Sequence, residues 1–317
     1  MPAAPREADI APDVSILIVA YNSRDFIGKC IETVIAHTRE VRYEILLVDN
    51  GTDGTADLVA QRFAEVRIVP GMGNIGFGRG NNLLADYARG QYLLLLNPDT
   101  WLVDPAIDRL LAFARSHPGA AWGGIATTPD GALQPGSFQS LPTVWSAFWE
   151  AAGRSAPAEN LARFRKDPVA RRVEVLSGGF MLITRAAWEK VGGFDPSFLL
   201  YAEEVDLFAR LKGVGGEVWL VPDSRIIHDV GSGSFYSPVR MNLAQTGRMH
   251  YARRHWRAPA AQIAGFAYWL VALRRWLVSA LMSPVSATHR ARRRAFAPLV
   301  LRPGGWWNGY AGRNSLD

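Results

Sequence analysis

Apolar runs that stop abruptly at polar residues, each followed by a stretch of helical period, recur through the first third of this chain and leave few folds open to it. Residues 14–20 are mostly β-branched or apolar and end in Tyr21-Asn22-Ser23, and a helical pattern occupies 26–36. The unit repeats as a strand at 43–49, the turn Asn50-Gly51-Thr52-Asp53-Gly54 and a helix over 55–63. A short strand at 66–69, a glycine-rich loop and a helix around 81–88 follow. Residues 91–96 are then continuously apolar up to Asn97-Pro98, as a strand buried on both faces requires. This alternation predicts an α/β fold with a mainly parallel central sheet flanked by helices. Such sheets bind ligands outside the carboxyl ends of their strands, where the polar clusters of this sequence fall.

The rest of the chain is less regular. It predicts strands at 173–183 and 218–221, a helix over 203–211 and, from Val239, a helical and basic region. The expected organisation is a leader (1–13), an α/β domain (14–238) and a C-terminal helical extension (239–317). With 317 residues, 49% hydrophobic and 20% charged, the chain can bury a core and is not a disordered or fibrous one. Its one cysteine, Cys30, cannot form an intramolecular disulfide and is expected to serve packing. Residues 1–12 contain no apolar stretch and read as a frayed leader, not a signal peptide, which places the chain in the cytoplasm.

The net charge of +6 is divided unevenly. Residues 240–317 hold 13 Arg and a single acid, Asp317, so the remainder of the chain is net acidic. The same basic region carries Trp256, Trp269, Trp276, Trp306 and Trp307, and Arg with Trp suits lipid headgroups. Residues 263–282 are its most apolar stretch, but Arg274 and Arg275 interrupt it, whereas a bilayer crossing needs about 20 uninterrupted apolar residues. The expectation is a helix lying in the interface of an anionic membrane, peripheral at its inner face. Packing on the α/β domain and formation of a homodimer are the alternatives. Nucleic acid is the less favoured partner for the charge.

Three clusters carry chemistry. Asn97-Pro98-Asp99 ends a buried strand, where an amide and a carboxylate can turn oxygens toward a hard divalent cation; the competing use is a turn capping a helix that begins near Asp104. In Tyr201-Ala202-Glu203-Glu204-Val205-Asp206-Leu207, adjacent carboxylates repel, which can lift one into the range of a general base; acids in a first helical turn also simply complement the helix dipole. His228 follows Ile226-Ile227 and precedes Asp229 and Gly231-Ser232-Gly233-Ser234, a metal ligand beside a phosphate-closing loop or a structural histidine. Gly71-Met72-Gly73-Asn74-Ile75-Gly76 matches the dinucleotide fingerprint, but follows the third strand with no acid about 20 residues on, which weakens an oxidoreductase reading.

Taken in order, these residues resemble family 2 of the nucleotide-sugar glycosyltransferases, and within it the rhamnosyltransferase-like members. The markers are residues 14–23, Val48-Asp49-Asn50-Gly51 with Asp53-Gly54-Thr55, Asn74-Ile75-Gly76-Phe77 with Gly80-Asn81, Asn97-Pro98-Asp99, Ser177-Gly178-Gly179-Phe180, the 203–207 run and His228. The resemblance implies the GT-A fold. It implies that Ala20, Tyr21 and Asn22, with Asp49 and Asn50, hold the base and ribose, and that Asn74, Gly76, Phe77, Asn81, Asn97, Gly178 and Gly179 help seat the donor. Asp99, with His228, would bind Mg2+ or Mn2+, and Glu204 would be the catalytic base, with Glu203 beside it and Asp206 and Arg210 as supports.

Two departures qualify the match. The metal motif is Asn97-Pro98-Asp99 and not a pair of aspartates, and the base position holds Glu204 where Asp often follows Glu. The implied activity is inverting transfer of a sugar from a nucleoside diphosphate donor, dTDP-rhamnose favoured over UDP sugars, to a hydroxyl of a glycan or polyprenyl diphosphate-linked acceptor in surface polysaccharide synthesis. A non-catalytic nucleotide-sugar binding module is the alternative, which the retained Glu203-Glu204 pair and Asp99 disfavour.

Overall fold

The computed structural model describes residues 11–154, 156–229 and 236–311. Most of the leader and the glycine-serine loop at 231–234 lie outside the described residues. The first third alternates as the sequence predicts: β1 (Val14–Ala20), α1 (Arg24–His37), β2 (Tyr43–Asp49), α2 (Thr55–Arg62), β3 (Val66–Ile68), α3 (Phe77–Tyr87) and β4 (Tyr92–Leu96). The middle comprises β5 (Thr100–Trp101), α4 (Ala106–Ser116), β6 (Ala121–Thr127), β7 (Phe138–Gln139), α5 (Val144–Ala151), α6 (Ala156–Lys166), β8 (Arg171–Arg172), β9 (Val175–Leu176), β10 (Phe180–Thr184), α7 (Arg185–Val191), α8 (Glu203–Gly213) and β11 (Val218–His228). Helices α9 (Pro238–His255), α10 (Ala258–Met282), α11 (Ala287–Leu301) and α12 (Gly304–Trp307) follow.

The main sheet has the order β3-β2-β1-β4-β10-β6-β11-β5, with β8 on the side of β11. Its first four strands are parallel. Strand β10 then inserts antiparallel between β4 and β6, so the complete sheet is mixed. The two-residue period of the strands divides the apolar side chains between two layers. Ile16 and Ile18 of β1, Ile45 and Leu47 of β2, and Leu94 and Leu96 of β4 face one core with α1 and α4. Leu17 and Val19, Leu46 and Val48, and Leu93 and Leu95 face the other, with α8 behind it. Strands buried on both faces therefore read as unbroken apolar runs.

Two sequence expectations are revised here. The 173–183 strand is two strands in different sheets, because β9 pairs with β7 while Ser177-Gly178-Gly179 turns the chain into β10. The 218–221 strand runs on to His228: β11 absorbs Pro222 in a register shift between Leu220 and Arg225 and resumes its pairing with β6. That continuation carries His228 to the rim where Asp99 lies.

A third core joins α5 to α9, α10, α11 and α12 through Ala147, Met249, Ala264, Tyr268, Phe296 and Trp306. The boundary at 238/239 is not a break in packing, since Tyr251 and Trp256 of the α9 end belong with the sheet core.

Candidate active site

The carboxyl ends of β1, β2 and β4 form one rim. At its β1–β2 corner, Asn22 takes a left-handed conformation (φ 50°) and its Oδ1 accepts the Thr52 N–H at 3.3 Å. Asp49 accepts the Gly51 and Ala56 N–H groups at 2.8 and 3.0 Å, so both carboxylate oxygens build the floor and the start of α2. Ala20 is fully buried and serves through its carbonyl, which accepts the Asn50 N–H. Tyr21 stands exposed at the edge.

Asn50 ties this corner to the glycine loop by donating from Nδ2 to Gly76 O at 3.1 Å. Gly76 has φ 84°, and a Cβ there would lie 2.5 Å from Leu199 O, so only glycine closes the loop on the segment that leads to α8. Asn74 accepts the Gly76 N–H, and α3 begins one residue later at Phe77. The Phe77 ring lies against Gly178, while Gly179 lies against the Asn97 amide and its carbonyl accepts the Asn97 N–H at 3.0 Å. Contacts thus run unbroken from Asn22 to Asn97.

Glu203 and Glu204 open α8 behind a residue pair of unusual backbone, Tyr201 (φ 67°) and Ala202 (φ 69°). Left-handed conformations in non-glycine residues cost about 1–2 kcal/mol each and persist only when surroundings hold them. Glu203 is 4% exposed and sits beside Gly78. Burial, then the charge of Glu204, pushes the Glu203 carboxyl well above the usual range. Glu204 is half-buried, and burial raises its carboxyl too. Of the pair, Glu204 has the access a base needs. Asp206 is fully buried and its oxygens are taken by Arg210 (2.7 Å) and His255 (2.8 Å), which makes it an anchor of α8.

Asp99 and His228 meet, with Oδ1 to Nε2 at 3.2 Å. The Asn97-Pro98-Asp99 turn does not cap a helix: β5 follows it, and α4 starts only at Ala106. The His228 carbonyl accepts Gln134 Nε2 at 2.7 Å, which fixes the amide so that Gln134 Oε1 faces His228 Nδ1 at 3.0 Å. With the proton on Nδ1, donated to Gln134 Oε1, the Nε2 lone pair faces the carboxylate. Two acceptors face each other at Asp99 Oδ1, which is buried and accepts no hydrogen bond. A divalent cation fits this pair, since it takes both lone pairs at once. Among the described residues no cluster of three or more His, Cys, Asp and Glu could hold a metal, so the remaining ligands would be waters and the donor's phosphates, the habit of Mg2+. Asn50 Oδ1, Asn81 Oδ1 and Glu203 Oε2 are likewise buried without a protein partner.

Residues 15–191 match the profile of the family described as Glycosyl transferase family 2. The chain belongs to this family. Its sequence is 30% identical over 277 residues, 79% of this chain and 88% of the relative, to the N-acetylglucosaminyl-diphospho-decaprenol L-rhamnosyltransferase of Mycobacterium tuberculosis (strain H37Rv). It is 27% identical over 251 residues, 74% of this chain and 91% of the relative, to rhamnosyltransferase WbbL of Escherichia coli K12. Among solved structures, the mannosyltransferase PcManGT from Pyrobaculum calidifontis in complex with GDP-Man and Mn2+ superposes with a TM-score of 0.57 at 15% identity, covering 98% of this chain and 87% of that one. That likeness shows the GT-A-like fold.

Several residues of this family 2 glycosyltransferase had no sequence signal. Gln134 comes from a loop between β6 and β7 that reads as a plain turn. The support of the 195–206 segment comes from α9: Arg254 pairs with Asp195 (2.7 Å), His250 with Ser197 (2.9 Å), Arg240 with the Tyr201 hydroxyl (3.1 Å) and His255 with Asp206. Each partner lies about 40–60 residues from its mate, and the basic composition of α9 reads simply as charge.

Proposed function

We propose that this chain is an inverting glycosyltransferase that transfers a sugar, rhamnose from dTDP-rhamnose favoured, to a hydroxyl of a polyprenyl diphosphate-linked or glycan acceptor in surface polysaccharide synthesis, at the inner face of the cell membrane. One observation carries the reading: a run of contacts leads from Glu203, which neighbours Glu204, through Gly78 and Phe77 of α3 to Gly178-Gly179 and Asn97, two residues before the Asp99 that faces His228. The relatives named for rhamnosyl transfer, one of them to a decaprenol-linked acceptor, support the sugar and acceptor class. Glu204 takes the acceptor proton as the acceptor oxygen bonds to the anomeric carbon, and the bond to the diphosphate breaks with its electron pair leaving on the diphosphate. One base opposite the leaving group gives inversion. Asp99 and His228 would hold Mg2+ or Mn2+, which when bound offsets charge on the diphosphate as a Lewis acid. Asn22 and Asn50 border the nucleotide, and the Gly76 loop lines the diphosphate side.

The test is calorimetry and turnover against dTDP-rhamnose, UDP-glucose, UDP-galactose, UDP-N-acetylglucosamine and GDP-mannose, with and without Mn2+. Wild type is expected to bind one donor in a metal-dependent way. Glu204→Gln should bind it equally while turnover falls about 10^2–10^4-fold, the usual contribution of a general base. Normal turnover by the variant would remove Glu204 from the role, and binding of no donor would end the transferase reading.

A further inference from the structure

Helix α10 is apolar on two faces. One, with Ala261, Ala264, Tyr268 and Ala272, is buried in the C-terminal core. The other repeats Ile263, Phe266, Leu270, Leu273, Leu277 and Leu281 at three- and four-residue intervals, a single stripe along about 27 Å of helix. It points outward: Phe266 is 52% exposed and Leu281 80%. Among the described residues the end of α5 reaches its middle, where Leu270 and Leu273 are half-buried, and leaves Ile263, Phe266, Leu277 and Leu281 exposed.

Helix α5 extends the surface. Trp145 and Trp149, one turn apart, are 74% and 56% exposed. Ala151 and Ala152 then share with Leu270, Leu273, Leu277 and Leu281 an open groove of about 540 Å³, with Arg274 at its margin. The junction is fixed by Glu150, which binds Arg248 at 2.8 Å and Arg275 at 3.0 Å and accepts Arg274 at its carbonyl. Burial alone would raise the Glu150 carboxyl, but the charges of Arg248, Arg275 and Arg274 hold it below the ordinary range, so the residue is an internal counter-ion.

Charge selects the occupant. Beside α10, helix α11 exposes Arg290, Arg293 and Arg294, and from 240 to 316 the chain has no acid. A second copy docking by a two-fold would set basic margin against basic margin. An anionic bilayer offers an apolar interior beneath a negative surface, with the headgroup level where Trp settles. No described helix is long and apolar enough to cross a membrane.

We propose that the outer stripe of α10, with Trp145 and Trp149 of α5, is a docking face that lies in the headgroup–acyl boundary of an anionic membrane. It deepens the membrane-side reading given above and rests on it for the acceptor's location. Helix α9 both joins this platform and holds the 195–206 segment, so one helix links the docking face to the start of α8.

The experiment is co-sedimentation of the full chain with vesicles of phosphatidylglycerol and phosphatidylcholine, or of phosphatidylcholine alone. The variants are Leu277→Glu/Leu281→Glu and Trp145→Ser/Trp149→Ser, with donor binding and light scattering on every protein. The expected result is at least tenfold stronger partition of wild type on the anionic vesicles and a tenfold or greater loss in each variant, with thermal transition and donor binding unchanged. Vesicle binding as strong in both variants as in wild type overturns the proposal. So does a wild-type dimer that the variants convert to monomer, which would make the face a self-interface. Vesicle binding by a wild type that binds no donor upholds the docking face while removing the transferase reading.

Discussion

Gln134 decides the chemistry of a residue it does not adjoin in sequence. By donating its amide N–H to the His228 carbonyl, it turns Oε1 toward His228 Nδ1, and a proton held there would leave Nε2 for the cation proposed to bind beside Asp99. Gln134→Ala is expected to weaken Mn2+ binding about 10–100-fold, the usual cost of losing an outer partner of a ligating histidine. Nitrogen NMR of His228 should show the tautomer population shift; an unchanged tautomer and affinity would exclude the role. Glu203 carries a different signature. Unfolded, it ionises near the ordinary glutamate value of about 4.3. Folded, burial and the Glu204 charge raise it, so the folded state loses stability as pH rises from the unfolded value toward the folded one. Glu203→Gln removes that loss. Its gain in Tm over wild type should be near zero around pH 4 and about 2–6 °C at pH 7.5; a pH-independent gain would contradict the burial argument. Cys30 bears out the packing role expected of it: it lies on the buried face of α1 in the sheet core, and burial pushes its thiol up to about 12.

At the scale of elements, α9 is the strut of α8 and the segment before it. It meets the 195–206 segment at Asp195, Ser197, Tyr201 and Asp206, and Gly247 lets it approach so closely that a Cβ would lie 2.3 Å from Tyr201 O. The strained Tyr201–Ala202 pair is held by that approach. Gly247→Ala forces α9 off the segment, at a cost of about 1–3 kcal/mol for overpacking. It should lower kcat more than donor affinity, since the corner at Asn22 and Asn50 proposed to border the nucleotide lies on other elements; denaturant unfolding with steady-state kinetics checks both. Equal loss of donor affinity would show that the damage spreads beyond α8.

For the whole molecule, the C-terminal helices are structural partners of the α/β domain, so packing and membrane contact are not exclusive uses of them. Tyr251 and Trp256 belong with the sheet core, and Met249 and Ala252 with the helical one, so the two cores share α9. The full chain should unfold in one calorimetric transition. A chain ended after residue 239 should lack a cooperative transition near that Tm, because it exposes the partners of Tyr251 and leaves Asp206 without His255; a truncated chain that melts cooperatively at the same temperature would restore two independent units. Membrane recovery is therefore best tested with surface substitutions in the full chain.

What the sequence determined by itself is the local and periodic part. Two-sided apolar strands at 14–20, 43–49 and 91–96, and polar clusters at their ends, follow from the two-residue period of a strand and the polarity of a strand-end rim, and both are written in neighbouring residues. Family likeness suggested the roles proposed for Asp99, His228 and Glu204. Only the tertiary structure decided that β10 enters antiparallel and brings Gly178-Gly179 to Asn97, that β11 continues past Pro222 to place His228, that Gln134 orients that histidine, and that α9 holds Glu204's helix. The physical reason is common to all four: each joins residues dozens of positions apart, through a hydrogen bond, an ion pair or a close approach of backbone. Local period carries no record of such a contact.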